Sequence, residues 1–222
     1  MKNNRPPLLE DITGMVLAGG RGSRMSGADK GLVEWHGRPL ALHALEQLRP
    51  QVGSLAINAN RNLTTYRSWQ VPVWPDADDR YPGPLAGLLA GLSHCTTEWL
   101  VTVPCDSPLF PADLVARLCV AASDAGASIA MAATRCLEGM EPQPVFLLAH
   151  RSLREPLAQA VRQDERRVRR WAEGQGCVMA VFADAAAFGN ANTAEDLAAL
   201  HAARPLPHGT PGSPGSPSSL RR

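Results

Sequence analysis

Short apolar segments of strand length alternate along this chain with longer segments of helical periodicity. The strand-like segments span 12–18, 54–58, 71–74, 99–103, 128–132, 145–149 and 177–182. The helix-like segments span 41–48, 84–94, 112–123, 153–163 and 194–202. Because such strands are joined by helical crossovers, this order predicts an α/β fold with a mostly parallel sheet. Helices on both faces of the sheet would complete a three-layer α/β/α arrangement.

The ends of the chain differ in composition from the segment between them. Residues 1–11 are polar and contain proline, and they are predicted to form a loose leader. Residues 203–222 form a Pro/Gly/Ser-rich tail that is predicted to be disordered, because it cannot bury enough apolar surface. The intervening segment, 12–202, has the length of a single domain with a sizeable core.

The composition argues against several classes of protein. A formal net charge of +1 is unlike the basic excess of dedicated nucleic-acid-binding proteins. The five cysteines are odd in number and lack a C-x-x-C spacing, which favours reduced thiols in a cytoplasmic protein over disulfides or zinc. No apolar run approaches the ~18 residues of a membrane span. We therefore expect a soluble, cytoplasmic protein that binds neither nucleic acid nor membranes.

A glycine-rich, basic loop follows the first predicted strand. It reads LAGGRGSRMSGADKG from Leu17 to Gly31, with five glycines between positions 19 and 31. Glycines let backbone N–H groups approach a ligand, and the basic side chains add positive charge, so the loop predicts a polyphosphate site. Lys30 is one of two lysines among 22 basic residues, which indicates that a compact ammonium group is needed there.

The loop matches neither of the commoner phosphate-binding motifs. In a dinucleotide fingerprint that starts at Gly20, the sixth position is Met25 instead of glycine. In the P-loop spacing, Gly27 is followed by Ala28 instead of lysine. A flexible surface loop is the non-functional alternative.

Polar residues follow other predicted strands, at the sheet edge where ligands of parallel α/β folds bind. Asp106 is a candidate magnesium ligand, since this ion takes one or two carboxylates together with phosphates and water. The alternative role of Asp106 is to cap a helix or to begin a turn. Asp76 is predicted to contact ribose or base, or to form an Asx-turn. Asn58 suits a nucleobase edge, or fixes a turn. Gly83 precedes a helix whose first N–H groups either meet the ligand or merely begin the helix.

The densest basic run is RRVRR at positions 166–170. A solvated helix face is the ordinary interpretation of such a run. An anion site for the phosphate of a second substrate is the functional alternative.

Several short motifs occur in a fixed order between positions 13 and 200: LAGG-x-x-x-RM, DKG, NAN, an aspartate after a strand, YPGPLAG, PCD-x-P and a late N-x-N. Together they resemble the molybdenum cofactor guanylyltransferase family, the MobA family of nucleotidyltransferases. The resemblance implies a Rossmann-like sheet with a nucleotide-binding half at about 12–110 and an acceptor-binding half at about 111–202. It implies transfer of GMP from GTP to the terminal phosphate of molybdopterin, with Mg²⁺, yielding the guanine dinucleotide cofactor and pyrophosphate.

The same resemblance implies roles for individual residues. Those implied to bind the nucleotide are Leu17, Ala18, Gly19, Gly20, Lys30, Asn58, Asp76, Gly83 and Asp106. Lys30, Arg24 and Asp106 would be catalytic, with Asp106 also holding the magnesium ion. Asn190 and Asn192 would face molybdopterin. Related transferases that use CTP tend to carry LAAG, so the glycine at position 19 favours guanine.

The implied nucleophile is a phosphate oxygen that is already ionised at neutral pH, so no protein general base is expected. Catalysis would consist of positioning and charge stabilisation. Two other functions stay open at this point. One is a cytidylyltransferase acting on molybdopterin or on a small phosphorylated metabolite. The other is a non-catalytic GTP-binding protein that delivers the cofactor to molybdoenzymes or other assembly proteins.

Overall fold

Strands and helices alternate as predicted in the computed structural model, which describes residues 5–20, 29–77, 83–136, 139–191 and 196. The strands are β1 (Ile12–Leu17), β2 (Glu34–Trp35), β3 (Arg38–Pro39), β4 (Ser54–Asn58), β5 (Trp99–Pro104), β6 (Ile129–Cys136), β7 (Gly139–His150) and β8 (Val178–Phe182). The α-helices are α1 (Leu40–Leu48), α2 (Leu63–Arg67), α3 (Pro84–His94), α4 (Leu114–Ala125), α5 (Arg154–Arg162) and α6 (Val168–Gly174). Within these ranges, no helix is long and apolar enough to cross a bilayer.

Six strands form the central sheet, in the order β4-β1-β5-β7-β6-β8. The pairs β4–β1, β1–β5 and β6–β8 are parallel. Strand β7 runs antiparallel to both of its neighbours, β5 and β6. The mostly parallel sheet is confirmed, and its single reversed strand brings the beginning of β7 to the edge where the other strands end.

Each face of the sheet is covered by its own hydrophobic core. Successive side chains of a strand point to opposite faces, so Ile12 and Val16 of β1 lie in one core and Met15 lies in the other. Helices α1 and α4 cover the first face, and α3, α5 and α6 cover the second. Their contributions include Leu45 and Leu118 on the first face and Leu88, Leu157 and Trp171 on the second. The three-layer α/β/α arrangement is therefore confirmed.

A small hairpin of β2 and β3 lies outside the central sheet. Its turn residues, His36 and Gly37, have φ angles of 50° and 71°, the positive values that tight two-residue hairpins require. Trp35 of this hairpin is buried with Leu40 and Ala191 in a separate apolar cluster. The hairpin thereby holds the chain segment that carries Asn190.

Some predicted elements differ in the structure. Residues 71–74 do not form a strand: Val73 makes a single parallel bridge to Ile57. The strand predicted at 145–149 is the second half of the longer β7, and α2 and α6 lack a predicted counterpart. The helix predicted at 194–202 lies outside the described residues, apart from Asp196.

Candidate active site

A cleft of about 770 Å³ opens at the edge of the sheet where β1, β4 and β5 end. Ten of the predicted site residues line it: Leu17, Ala18, Gly19, Gly20, Lys30, Asn58, Asp76, Gly83, Asp106 and Asn190. The other two, Arg24 and Asn192, lie outside the described residues. The fold thus brings residues that are far apart in the sequence to one surface.

An ion pair lies in the cleft between the glycine-rich loop and the end of β5. Lys30 Nζ donates to Asp106 Oδ2 over 3.0 Å, and the two side chains are 22% and 17% exposed. The backbone around Asp106 is held on both sides, because Cys105 N donates to Leu17 O and Ala191 N donates to Asp106 O, at 3.1 and 2.7 Å. A cation from the loop is therefore held against an anion that follows the end of β5.

The residue before Lys30 anchors the loop to helix α2. The Asp29 carboxylate accepts from Gly31 N at 3.1 Å, from the Tyr66 hydroxyl at 2.7 Å and from Asn62 Nδ2 at 2.9 Å. Tyr66 is fully buried. Burial, followed by the hydrogen bond to Asp29, raises the pKa of the Tyr66 hydroxyl, so that it remains a donor at neutral pH. This network fixes the backbone from which Lys30 enters the cleft.

Two asparagines hold the carboxylate of Asp76 at the other end of the cleft. Asn58 Nδ2 donates to Asp76 Oδ1 at 2.8 Å and to Trp74 O at 2.9 Å. Asn60 Nδ2 donates to Asp76 Oδ2 at 2.8 Å, and Asn60 Oδ1 accepts from Asp76 N at the same distance. Asn58 therefore fixes a turn and also lines the cleft, so the two interpretations of this residue are compatible.

Two glycines let the backbone approach this asparagine pair closely. A Cβ atom on Gly19 would lie 2.8 Å from Asn60 Nδ2 and 2.9 Å from Asn58 Oδ1. A Cβ atom on Gly87, in the first turns of α3, would lie 2.5 Å from Asn58 Oδ1. Both positions exclude a side chain unless the asparagines move.

One wall of the cleft comes from residues that the sequence analysis missed: Gln143, Pro144, Val145 and Phe146. The β6 register on β7 jumps from Leu147 to Gln143, so the three residues between them bulge out of the ladder. Thr102 on β5 stabilises the bulge by donating to Val145 O at 2.7 Å. The prolines on either side of Gln143 signal such an interruption, but the strand-end rule selects only positions that follow strands.

Asn190 lines the cleft and contacts the segment that follows Asp106. Its Oδ1 accepts a hydrogen bond from the Ser107 hydroxyl, which is fully buried. The short contact ties the segment after β8 to the segment after β5. Donors and acceptors from both halves of the chain therefore meet around Asp106.

Comparison with known proteins agrees with this geometry. The model of the MobA-like NTP transferase domain matches residues 14–179. The molybdenum cofactor guanylyltransferase of Acidovorax ebreus is 52% identical over 208 residues, covering 89% of this chain and 97% of that protein. That of Bordetella pertussis is 50% identical over 190 residues, covering 86% and 96%. This chain belongs to the molybdenum cofactor guanylyltransferase family. It is therefore a nucleotidyltransferase.

Solved structures share the fold of this guanylyltransferase family member. Molybdopterin-guanine dinucleotide biosynthesis protein A from Archaeoglobus fulgidus aligns with a TM-score of 0.69 at 21% identity, covering 86% of this chain and 97% of that one. CMP:2-keto-3-deoxy-manno-octonic acid synthetase, solved with CTP, aligns with a TM-score of 0.68 at 13% identity, covering 86% and 96%. At such identities the likeness shows a common fold.

The residues present fit a magnesium ion that arrives with its substrate. Within the described ranges, no three His, Cys, Asp or Glu side chains cluster closely enough to enclose a metal. Magnesium in nucleotide sites is held by one or two carboxylates, with phosphates and water completing its shell. A carboxylate has two oxygens, so the ion pair at Asp106 Oδ2 still allows coordination by this side chain.

Cys105 lies between the end of β5 and Asp106 in this guanylyltransferase family member. Its side chain is buried, and burial, followed by the charge of Asp106, raises the pKa of the thiol. A neutral, buried thiol is neither a nucleophile nor a metal ligand.

The basic run at 166–170 lies at the beginning of α6, and most of its charges are paired. Arg166 contacts Asp164 at 2.8 Å, Arg169 contacts Glu173 at 2.7 Å, and Arg170 contacts Glu165 at 3.3 Å. All of these arginines are well exposed, as a solvated helix face requires. The run also borders a groove next to the cleft, which it shares with Pro84, Pro144 and Val145.

Proposed function

We propose that this protein transfers GMP from GTP to the terminal phosphate of molybdopterin, forming the guanine dinucleotide cofactor and pyrophosphate. The observation that carries the proposal is the Lys30–Asp106 pair, 3.0 Å apart, in a cleft bordered by the backbone of Gly19 and Gly20. A cation, a carboxylate and a glycine-rich backbone are the groups that a triphosphate and its counterion need.

The reaction requires no proton transfer from the nucleophile. The second pKa of a phosphate monoester is about 6, so the attacking oxygen of molybdopterin is ionised at neutral pH. This oxygen forms a bond to the α-phosphorus of GTP, the bond from that phosphorus to the β-phosphate oxygen breaks, and pyrophosphate leaves. The protein has to hold two anions in line and to stabilise the charge that develops on the leaving group.

Several residues of the cleft have a place in this reaction. Lys30, helped by Arg24, would neutralise charge on the phosphates, and the backbone N–H groups at Gly19 and Gly20 would donate to them. Asp106 would hold Mg²⁺, which when bound offsets the repulsion between the two anionic substrates. The ion pair keeps the Asp106 carboxylate oriented before the nucleotide arrives.

The two ends of the cleft would bind different parts of the substrates. Asn58 and Asp76 suit the nucleoside end, since an amide and a carboxylate offer both donors and acceptors. Gly83 precedes α3 and would bring the N–H groups of its first turn towards the nucleotide. Asn190, together with Asn192 beyond the described residues, would face molybdopterin, and Gln143 also lines this cleft.

The proposal includes the conditions under which the enzyme works. We assign it to the cytoplasm, with molybdoenzymes or other cofactor-assembly proteins as recipients of the product. All five cysteines are free thiols, as expected in a reducing compartment. A formal net charge of +1 supports small-molecule substrates over nucleic acid or membranes.

The decisive experiment measures pyrophosphate release from GTP, with MgCl₂ and molybdopterin, by the wild type and three variants. Lys30→Ala and Asp106→Ala should each lower turnover by about 10²–10³, the usual cost of removing one group that stabilises transition-state charge. Arg38→Ala breaks an exposed ion pair to Glu46 of similar length, 2.6 Å, and should leave turnover unchanged. Wild-type turnover in Lys30→Ala would remove the ion pair from the mechanism.

Nucleotide choice separates the proposal from its two rivals. Thermal unfolding with GTP, CTP, ATP or UTP, each with and without MgCl₂, should give a selective, magnesium-enhanced rise for GTP. A preference for CTP would identify a cytidylyltransferase. Binding of GTP without turnover of molybdopterin would identify a binding or delivery protein.

A further inference from the structure

Asn60 lies behind the cleft and connects three chain segments that meet there. It is not among the residues that line the cleft. Its Nδ2 group donates to Asp76 Oδ2 at 2.8 Å and to Gly19 O at 3.3 Å, and its Oδ1 accepts from Asp76 N at 2.8 Å. One planar amide thus contacts the glycine-rich loop and both the backbone and the side chain of Asp76.

No other side chain of similar size can make this set of contacts. An amide has donors and an acceptor on the same short side chain, and the geometry uses both. An aspartate at position 60 would place a second carboxylate next to that of Asp76, where like charges repel. An alanine would lose all three hydrogen bonds.

Asn60 also closes the space beside Gly19. A methyl group at position 19 would lie 2.8 Å from Asn60 Nδ2, a distance that Cβ atoms do not adopt without a shift of their neighbours. The glycine and the asparagine therefore depend on each other. With Asn60 in place, the loop passes close to Asp76, and the nucleoside end of the cleft keeps its shape.

The chemistry of the bases makes this arrangement relevant to selectivity. Guanine carries two neighbouring donors on one edge, N1–H and the exocyclic N2 amino group, whereas cytosine carries one exocyclic amino group beside two acceptors. An ionised carboxylate accepts hydrogen bonds only, and a fixed one suits a pair of donors best. Both Asp76 oxygens are held by asparagines, since Oδ1 accepts from Asn58 and Oδ2 accepts from Asn60.

We propose that Asn60 is a positioning residue for guanine selection: it orients the Asp76 carboxylate towards the base and keeps position 19 free of a side chain. The inference rests on the proposed function, because it presupposes that the nucleoside end of this cleft binds GTP. It assigns selectivity to a residue that itself does not touch the nucleotide.

The test is calorimetric titration of GTP and of CTP, with MgCl₂, into the wild type and the Asn60→Ala and Asn60→Asp variants. Loss of a hydrogen bond to a charged group corresponds to about a tenfold change in affinity, so Kd for GTP should rise about tenfold in Asn60→Ala. It should rise further in Asn60→Asp, which also keeps the test available if the alanine variant does not fold. Kd for CTP should change less than about twofold, and Thr65→Ala, an exposed position on α2, serves as the control.

A double-mutant cycle with Gly19 tests the second part of the proposal. Gly19→Ala should weaken GTP binding about tenfold in the wild type but less, about threefold, in the Asn60→Ala background, because one of the two atoms that the methyl group meets is gone and Asn58 Oδ1 remains. Additive losses would contradict the coupling between the two positions.

Two results overturn the inference and leave the proposed function intact. One is a GTP affinity in both Asn60 variants within about twofold of wild type, and the other is an equal loss for GTP and CTP. If the wild type itself fails to bind GTP selectively, the proposed function fails instead. The two failures are therefore distinguishable in the same set of titrations.

Discussion

Replacing Tyr66 by phenylalanine tests the network that holds Lys30. The change removes only the hydroxyl that donates to Asp29 Oδ1 at 2.7 Å, and it keeps the ring that packs in the core. The carboxylate of Asp29 retains its hydrogen bonds from Gly31 N and Asn62 Nδ2. The perturbation is therefore confined to one buried hydrogen bond to a charged group.

The expected loss of stability follows from that bond. Hydrogen bonds to charged groups contribute about 1.5–3 kcal/mol, and the two remaining donors place this one at the lower end, about 1.5–2 kcal/mol. For a chain of this length, about 2–4 °C of Tm accompanies each kcal/mol, so the variant should melt about 3–8 °C lower near pH 8.

The pH dependence makes the prediction more specific. Burial and the neighbouring Asp29 raise the pKa of Tyr66 in the folded state, whereas an unfolded tyrosine titrates near pH 10. Above that pH the unfolded wild type loses a proton that the folded state keeps, so wild-type stability falls as pH rises. At pH 10.5 this linkage lowers the free energy of unfolding of the wild type by about 0.8 kcal/mol. The phenylalanine variant has no such loss, because it lacks the titrating hydroxyl.

Urea denaturation of both proteins at pH 8 and pH 10.5 measures the difference in the free energy of unfolding directly. The difference in the free energy of unfolding between the wild type and the variant should decrease from about 1.5–2 kcal/mol at pH 8 to about 1 kcal/mol at pH 10.5. The contributions of all other titrating groups are the same in both proteins and cancel in this difference. A gap that stays constant with pH, or that is absent at pH 8, would show that the Tyr66 hydroxyl does not stabilise Asp29 as the geometry indicates.

Two further predictions concern the glycines of α3 and the buried thiols. Gly87→Ala should weaken GTP binding about tenfold, because the added methyl group displaces Asn58. Gly91→Ala is the matched control, because its methyl group meets Met15 and Leu100 in the core. It should lower Tm and leave the GTP affinity of the folded enzyme unchanged. Burial raises the pKa of Cys119 to about 11, so the folded state keeps a proton that the unfolded thiol releases above its ordinary value of 9.0. Stability should therefore fall between pH 9.0 and about 11, and in urea titrations Cys119→Ala should show a shallower decline than the wild type.

Much of the fold was predictable because it depends on local patterns. Short apolar segments identified β1, β4 and β5, and proline at the first turn identified the beginning of α3. The rule that ligands bind at the carboxyl ends of parallel strands then selected Asn58, Asp76 and Asp106 for one cleft, and the structure brings them there.

The direction of one strand, β7, did not follow from the sequence. Periodicity identifies a strand but not the way in which it runs, since both directions have the same alternation. Strand β7 pairs antiparallel with β5 and β6, so its beginning, at Gln143, reaches the cleft that the other strands reach with their ends. The segment at 71–74 failed differently: its apolar residues are sufficient for a strand, but Val73 forms a single bridge at the edge of the sheet.

The sequence by itself determined the residue chemistry of the loop at 17–31, the alternation of strands and helices, and membership of the family, because each depends on residue type and spacing. Only the tertiary structure decided which of these groups touch. Lys30 and Asp106 are 76 residues apart in the chain and 3.0 Å apart in space. Asn60 makes three hydrogen bonds, all to Gly19 and Asp76 in other segments of the chain. Such contacts depend on how packed elements pass one another, which no local pattern in the chain encodes.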